Sequence, residues 1–174
     1  MKALFGKPKE VVPPERSILF VCMGNICRSP TAEAVFRATA ERAGIAKRLH
    51  IDSAGTGDWH VGEPPDQRAS AAAKKRGYDL SSLRGRQVSE EDFARFGWIF
   101  AMDRDNLERL EELRPAGYDG HVGLFLDLVQ EADVREVPDP YYGGPEGFDH
   151  VLNLIERASE ALVAHLRRQV TLAE

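Results

Sequence analysis

Cysteine is scarce in this sequence, and the chain also lacks a long apolar run and an excess of positive charge. Its 174 residues include 2 cysteines, Cys22 and Cys27, which lie in one short stretch. Two cysteines so close together do not form the disulfide framework of a small secreted fold, and their spacing does not match a zinc site. The longest apolar runs are too short to span a bilayer.

The sequence also shows no export signal and no net positive charge, and these two absences bear on where the protein acts and what it binds. Residues 1–16 mix lysine, glutamate and proline and lack the apolar centre of a signal peptide, so we predict a cytoplasmic protein. The net charge of −5 argues against nucleic acid or a membrane surface as a partner. We expect residues 1–16 to be a flexible extension and residues 17–170 to form a single domain, monomeric and without metal or cofactor.

The stretch from residue 21 to residue 30, VCMGNICRSP, carries the chemistry. A short apolar run before it predicts a buried strand. After it, Ser29 can cap a helix and Pro30 can occupy the first helical position, where no amide donor is needed. The loop between strand and helix therefore holds Cys22 and, six positions later, Arg28.

This arrangement suits the binding of a phosphate group against a sulfur atom. A helix N-terminus attracts anions, and loop amides eased by Gly24 can surround their oxygens. Arg28 can offer a two-pronged contact to two phosphate oxygens. The same positive field favours the thiolate form of Cys22, which makes it a nucleophile. A free cysteine is more often a core residue, but this spacing favours phosphoryl transfer through a covalent intermediate.

Hydrolysis also requires a carboxyl group. The leaving group needs a proton, and the water that follows needs a base. Spacing alone leaves Asp127, Asp133 and Asp139 open as candidates, and an Asp-Pro pair such as 139–140 is also typical of a plain turn.

Four segments resemble one known family in order. Val21 to Glu33 closely resembles the signature loop of the low-molecular-weight protein tyrosine phosphatases of bacterial type. The similarity continues at Asp52–Thr56, Ala101–Asp103 and Asp139–Tyr142, and it spans residues 17–168. One Cys-x5-Arg match is weak evidence, whereas four ordered matches make accident improbable.

The resemblance implies a phosphotyrosine phosphatase with a phosphocysteine intermediate. Cys22 would be the nucleophile, Arg28 the phosphate clamp that stabilises the transition state, and Asp139, now selected among the three candidates, the general acid and base. It also implies a phosphotyrosine-containing protein as partner, and by analogy a bacterial tyrosine kinase. The implied phosphate-binding loop consists of Met23, Gly24, Asn25, Ile26, Cys27 and Arg28.

Three polar residues are expected to support this loop. The resemblance implies that Asn25, Ser29 and Ser53 form hydrogen bonds that shape the loop and help the thiolate leave. For Ser29 a plain helix cap is an equal alternative, and Ser53 could be no more than a strand end.

Cys27 could form a reversible disulfide with an oxidised Cys22, or be a passive loop residue.

Aromatic residues in Gly/Pro-rich loops are candidates for the walls of a substrate cleft. Trp59, Tyr141 and Tyr142 can stack on a phenol ring, although a single Trp more often packs in the core.

Asp103, at a predicted helix start, is most simply an N-cap.

Strands alternate with helices along the chain, which predicts a three-layer α/β/α fold with a parallel sheet. The resemblance implies four strands in the order 2-1-3-4, a phosphatase I-like fold. Strands are expected at residues 17–21, 49–53, 98–102 and 122–126, and helices at 30–43, 66–76, 89–96, from 103 and 148–169.

Three alternative functions compete with this interpretation, two of them from families that resemble this one. Arsenate reductases that resemble this fold use further cysteines, and none follows Cys27. Protein arginine phosphatases resemble the family more closely but carry threonine at the position of Ile26 and lack paired tyrosines after the acid. A non-catalytic phosphate-binding module would require neither the thiolate nor Asp139.

Overall fold

A four-stranded parallel sheet organises the molecule. The computed structural model describes residues 11–130, 133–141 and 143–172, with side chains to residue 169. The strands are β1 (Ser17–Cys22), β2 (His50–Gly55), β3 (Trp98–Ala101) and β4 (His121–Leu124). Their order is β2-β1-β3-β4 and every pairing is parallel, which confirms the predicted fold class and strand order.

Helices cover both faces of this sheet because β1 is apolar on both sides. The helices are α1 (Arg28–Arg42), α2 (Gln67–Lys75), α3 (Asp92–Arg95), α4 (Arg104–Leu113) and α5 (Pro145–Leu172). Ile18 and Phe20 point into the core under α1 and α5, whereas Leu19 and Val21 join the core under α3 and α4. This alternation is the period of two expected of a strand.

The site lies where strand order reverses. From the central strand β1, the chain crosses to β2 on one side, and β3 lies on the other. Ligands in such sheets bind beyond the carboxyl ends of the strands at this point. Cys22 ends β1 there, level with Gly55 of β2.

Several element boundaries differ from those predicted. The helix expected over residues 89–96 spans only Asp92–Arg95, because the Asp92 carboxylate accepts the Ser89 amide at 2.9 Å and holds residues 89–91 in a turn. The fourth strand ends at Leu124 and a 3-10 turn, Phe125–Leu128, follows. Helix α5 begins at Pro145, since proline suits a first helical position.

Of the two roles left open for Ser29, the helix cap was wrong. Helix α1 begins at Arg28, and Cys27 occupies the cap position. Ser29 therefore lies inside the first turn, where its hydroxyl is fully buried and bonded to the loop rather than to the helix. By contrast, Asp103 caps α4 as predicted, in a reciprocal pair with Asn106.

The segment before β1 makes specific contacts. Residues Pro14–Arg16 form a 3-10 turn. The Gly97 amide donates to the Pro14 carbonyl at 2.8 Å, and the Trp98 indole donates to the Glu15 carbonyl at 3.0 Å. The flexible extension over residues 1–16 stays a prediction, and residues 1–10 lie outside the described chain. Within that described chain, no helix has the length and apolar character needed to cross a bilayer.

Candidate active site

The loop between β1 and α1 is tied to its neighbours through its backbone. The Thr56 amide donates to the Cys22 carbonyl at 2.9 Å, and the Asp66 amide donates to the Ile26 carbonyl at 2.8 Å. Asn25 adopts a positive φ of 55°, a conformation that asparagine tolerates better than most residues. These backbone contacts hold the loop at both of its sides.

The sulfur of Cys22 lies at the bottom of this loop with two hydrogen-bond partners. Its Sγ is 3.0 Å from the Ser29 hydroxyl, and it accepts the Asn25 amide at 3.3 Å. Cys22 is 3% exposed. The Asn25 amide that donates to the sulfur, together with the N-terminus of α1, favours a negative charge there.

Asn25, Ser29 and Ser53 form one buried network, as the resemblance implies. The Asn25 amide group donates to the Ser29 hydroxyl at 2.8 Å and to the Ser53 hydroxyl at 3.0 Å. The Ser53 hydroxyl in turn donates to Glu33 at 2.8 Å, and the Arg86 amide donates to the Asn25 side-chain oxygen at 3.0 Å. Every polar atom of the Asn25 side chain is thereby satisfied.

Glu33 is a member of this network that the sequence did not single out. It is 4% exposed. Burial raises its pKa, and the nearby charge of Asp52 adds to that shift, while hydrogen bonds from Ser53 and Arg37 oppose it. Only its place in the Val21–Glu33 segment could have pointed to Glu33.

Arg28 is held by three oxygen partners. Its Nη1 donates to the Asp103 carboxylate at 2.5 Å and to the Val137 carbonyl at 3.0 Å, and its Nη2 lies 3.8 Å from the Asp139 carboxylate. Burial on its own would lower the pKa of Arg28, but the charges of Cys22 and Asp103 raise it above its usual value. The guanidinium group is therefore a fixed cation beside the sulfur.

Asp103 thus has a second partner that sequence reasoning missed. The prediction was a helix cap, and the same carboxylate also pairs with Arg28. The signal was available: Asp103 follows β3, whose carboxyl end lies beside that of β1 in a parallel sheet.

Asp139 lines the cleft on a segment that is bonded to the residue following β3. Two residues earlier, the buried Val137 amide donates to the Met102 carbonyl at 2.8 Å. One Asp139 carboxylate oxygen accepts the Tyr141 amide at 3.0 Å. The structure thereby brings Asp139 to the same site as Cys22 and Arg28, although more than a hundred residues separate them in sequence.

A cleft of about 310 Å³ joins these groups. Trp59 and Tyr141 lie on its walls, 68% and 39% exposed, as expected for cleft rather than core residues. Tyr142 lies outside the described residues. The cleft is lined by Cys22, Met23, Gly24, Ile26, Cys27, Arg28, Trp59, His60, Asp139 and Tyr141.

His60 is a cleft residue that sequence reasoning passed over. Its Nδ1 lies 2.7 Å from the Glu63 carboxylate. The imidazole ring lies directly over Gly24, where a β-carbon would approach His60 Cδ2 to 3.1 Å. Gly24 therefore allows the loop and the histidine to come into close contact.

Cys27 differs from Cys22 in its surroundings. It is 6% exposed and packs with Ala69 and Phe148. Burial, followed by the negative charge of Asp66, raises the pKa of Cys27 to about 12. Cys27 is therefore a thiol at neutral pH.

Among the described side chains, no three His, Cys, Asp or Glu groups are placed to hold a metal ion.

Known proteins are similar to this chain over nearly its whole length. The family model for low molecular weight phosphotyrosine protein phosphatase matches residues 17–172. A putative low molecular weight protein-tyrosine-phosphatase of Synechocystis is 46% identical, over 88% of this chain and 98% of that relative.

Solved structures agree with the sequence comparison. A protein tyrosine phosphatase from Entamoeba histolytica superposes with a TM-score of 0.84 at 40% identity, covering 88% of this chain and 97% of that one. A Drosophila arginine phosphatase superposes with a TM-score of 0.80 at 31% identity, covering 86% and 96%. Because the family model matches most of the chain and these relatives agree with it in sequence and fold, the chain belongs to the low molecular weight phosphotyrosine protein phosphatase family.

Proposed function

We propose that this protein hydrolyses phosphotyrosine in protein substrates through a phosphocysteine intermediate. The observation that carries the proposal is the buried Cys22 sulfur, which accepts the Asn25 amide and contacts the Ser29 hydroxyl at the base of a cleft that Arg28 and Asp139 also line. Binding of phosphate alone would require neither a sulfur nucleophile nor a carboxylate.

In the first step the Cys22 thiolate attacks phosphorus and the bond to the phenol oxygen breaks. The Arg28 guanidinium group is fixed by Asp103 and Val137. It pairs with the negatively charged phosphoryl oxygens in the transition state. Asp139 supplies the proton that the departing phenolate needs. The products are a tyrosine side chain and phosphocysteine.

In the second step water attacks the phosphocysteine and the P–S bond breaks. The Asp139 carboxylate, left without its proton, accepts one from that water. The Ser29 hydroxyl and the Asn25 amide stabilise the thiolate as it leaves. Inorganic phosphate is released, and the chemistry requires no metal ion.

The cleft walls favour an aromatic phosphoester. Trp59 and Tyr141 line the cleft with aromatic rings on which a phenol can stack, and Ile26 of the loop adds an apolar side chain to the lining. A protein tyrosine kinase of a bacterial cell is the partner we propose by analogy with the family. The second candidate is phosphoarginine, because the Drosophila arginine phosphatase shares the fold.

One assay separates these two functions. Phosphate release is measured from a phosphotyrosine peptide and from a phosphoarginine protein, with chelator present and with Cys22→Ser as the blank. We expect phosphotyrosine to be preferred, and Cys22→Ser to lose turnover while retaining affinity for phosphate, because the loop amides and Arg28 remain. Preference for phosphoarginine would contradict the assignment of the substrate, and turnover by Cys22→Ser would contradict the covalent mechanism.

A further inference from the structure

Arg68 occupies a position that helix stability does not explain. It is the second residue of α2, where the helix dipole disfavours a positive charge. The Asp66 carboxylate caps the helix by accepting the Arg68 and Ala69 amides at 2.8 and 3.2 Å. The same carboxylate accepts the Arg68 Nε and Nη2 at 3.3 and 3.2 Å, so the guanidinium group is held in one orientation.

From the cap of α2, the guanidinium group reaches the segment that carries Asp139. Its Nη2 donates to the Tyr141 carbonyl at 2.9 Å. Its carbon lies 5.3 Å from the centre of the Tyr141 ring and 4.9 Å from that of Phe148. Phe148 is buried in the first turn of α5. A planar cation therefore packs against one exposed and one buried ring.

Residue 141 connects this contact to the proposed general acid. The Tyr141 amide donates to the Asp139 carboxylate at 3.0 Å, while its carbonyl accepts from Arg68. On the other side, the Asp66 amide is bonded to the Ile26 carbonyl of the phosphate-binding loop at 2.8 Å. A continuous path of contacts thus runs from that loop through Asp66, Arg68 and Tyr141 to Asp139.

We propose that Arg68 is a positioning residue that sets the Asp139 carboxylate relative to the phosphate-binding loop. The proposal rests on the function proposed above, since it assigns Asp139 the role of general acid. Arg68 acts through Tyr141 and holds the segment that carries Asp139 in place. A lysine would keep the charge but could not contact Asp66 and the Tyr141 carbonyl with one planar group.

The test compares two substrates that differ in their need for a proton. Phenyl phosphate has a poor leaving group, and p-nitrophenyl phosphate an activated one. We expect Arg68→Met and Arg68→Lys to lower kcat/KM about tenfold for phenyl phosphate and less than about twofold for p-nitrophenyl phosphate, a fraction of a full general-acid contribution. Inhibition by inorganic phosphate is expected to stay unchanged, because the loop that binds it is intact.

Arg76 provides a matched control on the same helix. It caps the other end of α2 and contacts Asn153 at 2.9 Å and Glu156 of α5, away from the cleft. Arg76→Met is expected to change kcat/KM for both substrates equally or not at all. Equal losses for the two substrates in the Arg68 variants, or a leaving-group-dependent loss in Arg76→Met, would overturn the proposal.

Asp139→Asn separates this proposal from the proposed function. If Asp139→Asn shows the leaving-group-dependent loss and the Arg68 variants do not, only the role of Arg68 fails. If Asp139→Asn itself affects both substrates equally, the general acid is misassigned. In the Asp139→Asn background, Arg68→Met is expected to add no further dependence on the leaving group, whereas a merely structural residue would lower both rates in either background.

Discussion

Two cysteines five positions apart illustrate how strongly local surroundings decide reactivity. Cys22 accepts the Asn25 amide and lies beside the Ser29 hydroxyl and the guanidinium group of Arg28. Cys27 is buried among apolar side chains and lies near the negative charge of Asp66. The same side chain is therefore a candidate nucleophile at one position and a protonated thiol at the other.

This contrast predicts selective alkylation. Because the pKa of Cys27 is raised to about 12, about one molecule in ten thousand carries its thiolate at pH 8. Iodoacetamide at pH 8 is expected to modify Cys22 at least about a hundredfold faster than Cys27, as measured by peptide mass spectrometry. Phosphate should protect Cys22. Comparable rates at the two cysteines would show that the surroundings of Cys27 are wrongly described.

The disulfide between Cys22 and Cys27 stays a prediction, and the pKa of Cys27 bears on it. Peroxide can oxidise Cys22 to a sulfenic acid, which removes the charge of Cys22; after burial and the charge of Asp66, that charge is a further cause of the raised pKa of Cys27. The thiol of Cys27 would then condense with the sulfenic acid to form a disulfide and water. Protection by Cys27 is therefore expected only after Cys22 has been oxidised.

At the scale of elements, the site depends on contacts between the start of α1 and the end of β2. Glu33 of α1 accepts from Ser53 of β2 at 2.8 Å, and Ser53 in turn holds Asn25 of the loop. Arg86 adds a second attachment, with a two-pronged ion pair to the buried Asp92 at 3.1 and 3.0 Å. The shape of the loop therefore depends on residues that do not line the cleft.

Glu33 predicts a specific pH dependence of stability. Its pKa is raised by burial, so the folded protein retains this proton at a pH where the unfolded chain has released it. The free energy of unfolding should therefore fall, relative to Glu33→Gln, as pH rises from the unfolded pKa of about 4.3 through the folded value. Above the folded value the difference should stay constant. Urea unfolding of both proteins between pH 4 and pH 8 measures this difference in the free energy of unfolding. A difference that is constant over the whole range would contradict the raised pKa of Glu33.

Removal of the Glu33 side chain has a separate consequence. Glu33→Ala leaves the buried Ser53 hydroxyl without its acceptor and is expected to cost about 1–3 kcal/mol in the free energy of unfolding. Glu33→Gln keeps an acceptor oxygen for Ser53 and serves as the control. A cost as large for Glu33→Gln as for Glu33→Ala would assign the effect to the lost charge rather than to the hydrogen bond.

At the scale of the whole molecule, the site and the N-terminal segment lie at opposite ends of the sheet. Cys22 is at the carboxyl end of β1, whereas the Pro14 and Glu15 carbonyls accept from Gly97 and Trp98 at the start of β3. The family model begins at residue 17. Stability and activity should therefore respond differently to loss of this segment.

Deletion of residues 1–16 tests this separation. The loss of two hydrogen bonds to the start of β3 is expected to lower the free energy of unfolding by about 1–3 kcal/mol. kcat/KM for a phosphotyrosine peptide is expected to stay within about twofold of the full chain, because the cleft is unaffected. Thermal unfolding and steady-state kinetics on both chains provide the measurement. A large loss of activity in a folded deletion variant would place the segment in the function.

Local sequence determined the part of the site that lies in one continuous segment. A strand, a loop with Cys22 and Arg28, and a following helix are short-range features, since periodicity, turn residues and helix ends act over a few positions. The same short-range patterns predicted the alternation of strands and helices, and the family resemblance added the strand order. The boundaries at Ser89 and Leu124 were missed because tertiary contacts decide where short elements end, whereas the start of α5 at Pro145 follows the local preference of proline for the first helical turn.

Only the tertiary structure decided which distant residues meet. Asp103 pairs with Arg28 across 75 positions, and the Arg86 amide reaches Asn25 across 61. Arg68 meets Tyr141 across 73. Periodicity carries no information about such pairs, because they depend on the packing of parallel strands and on connections that bring their carboxyl ends together. The resemblance selected Asp139 among three candidates, and the fold supplies the physical reason by bringing Asp139 into the lining of the same cleft as Cys22.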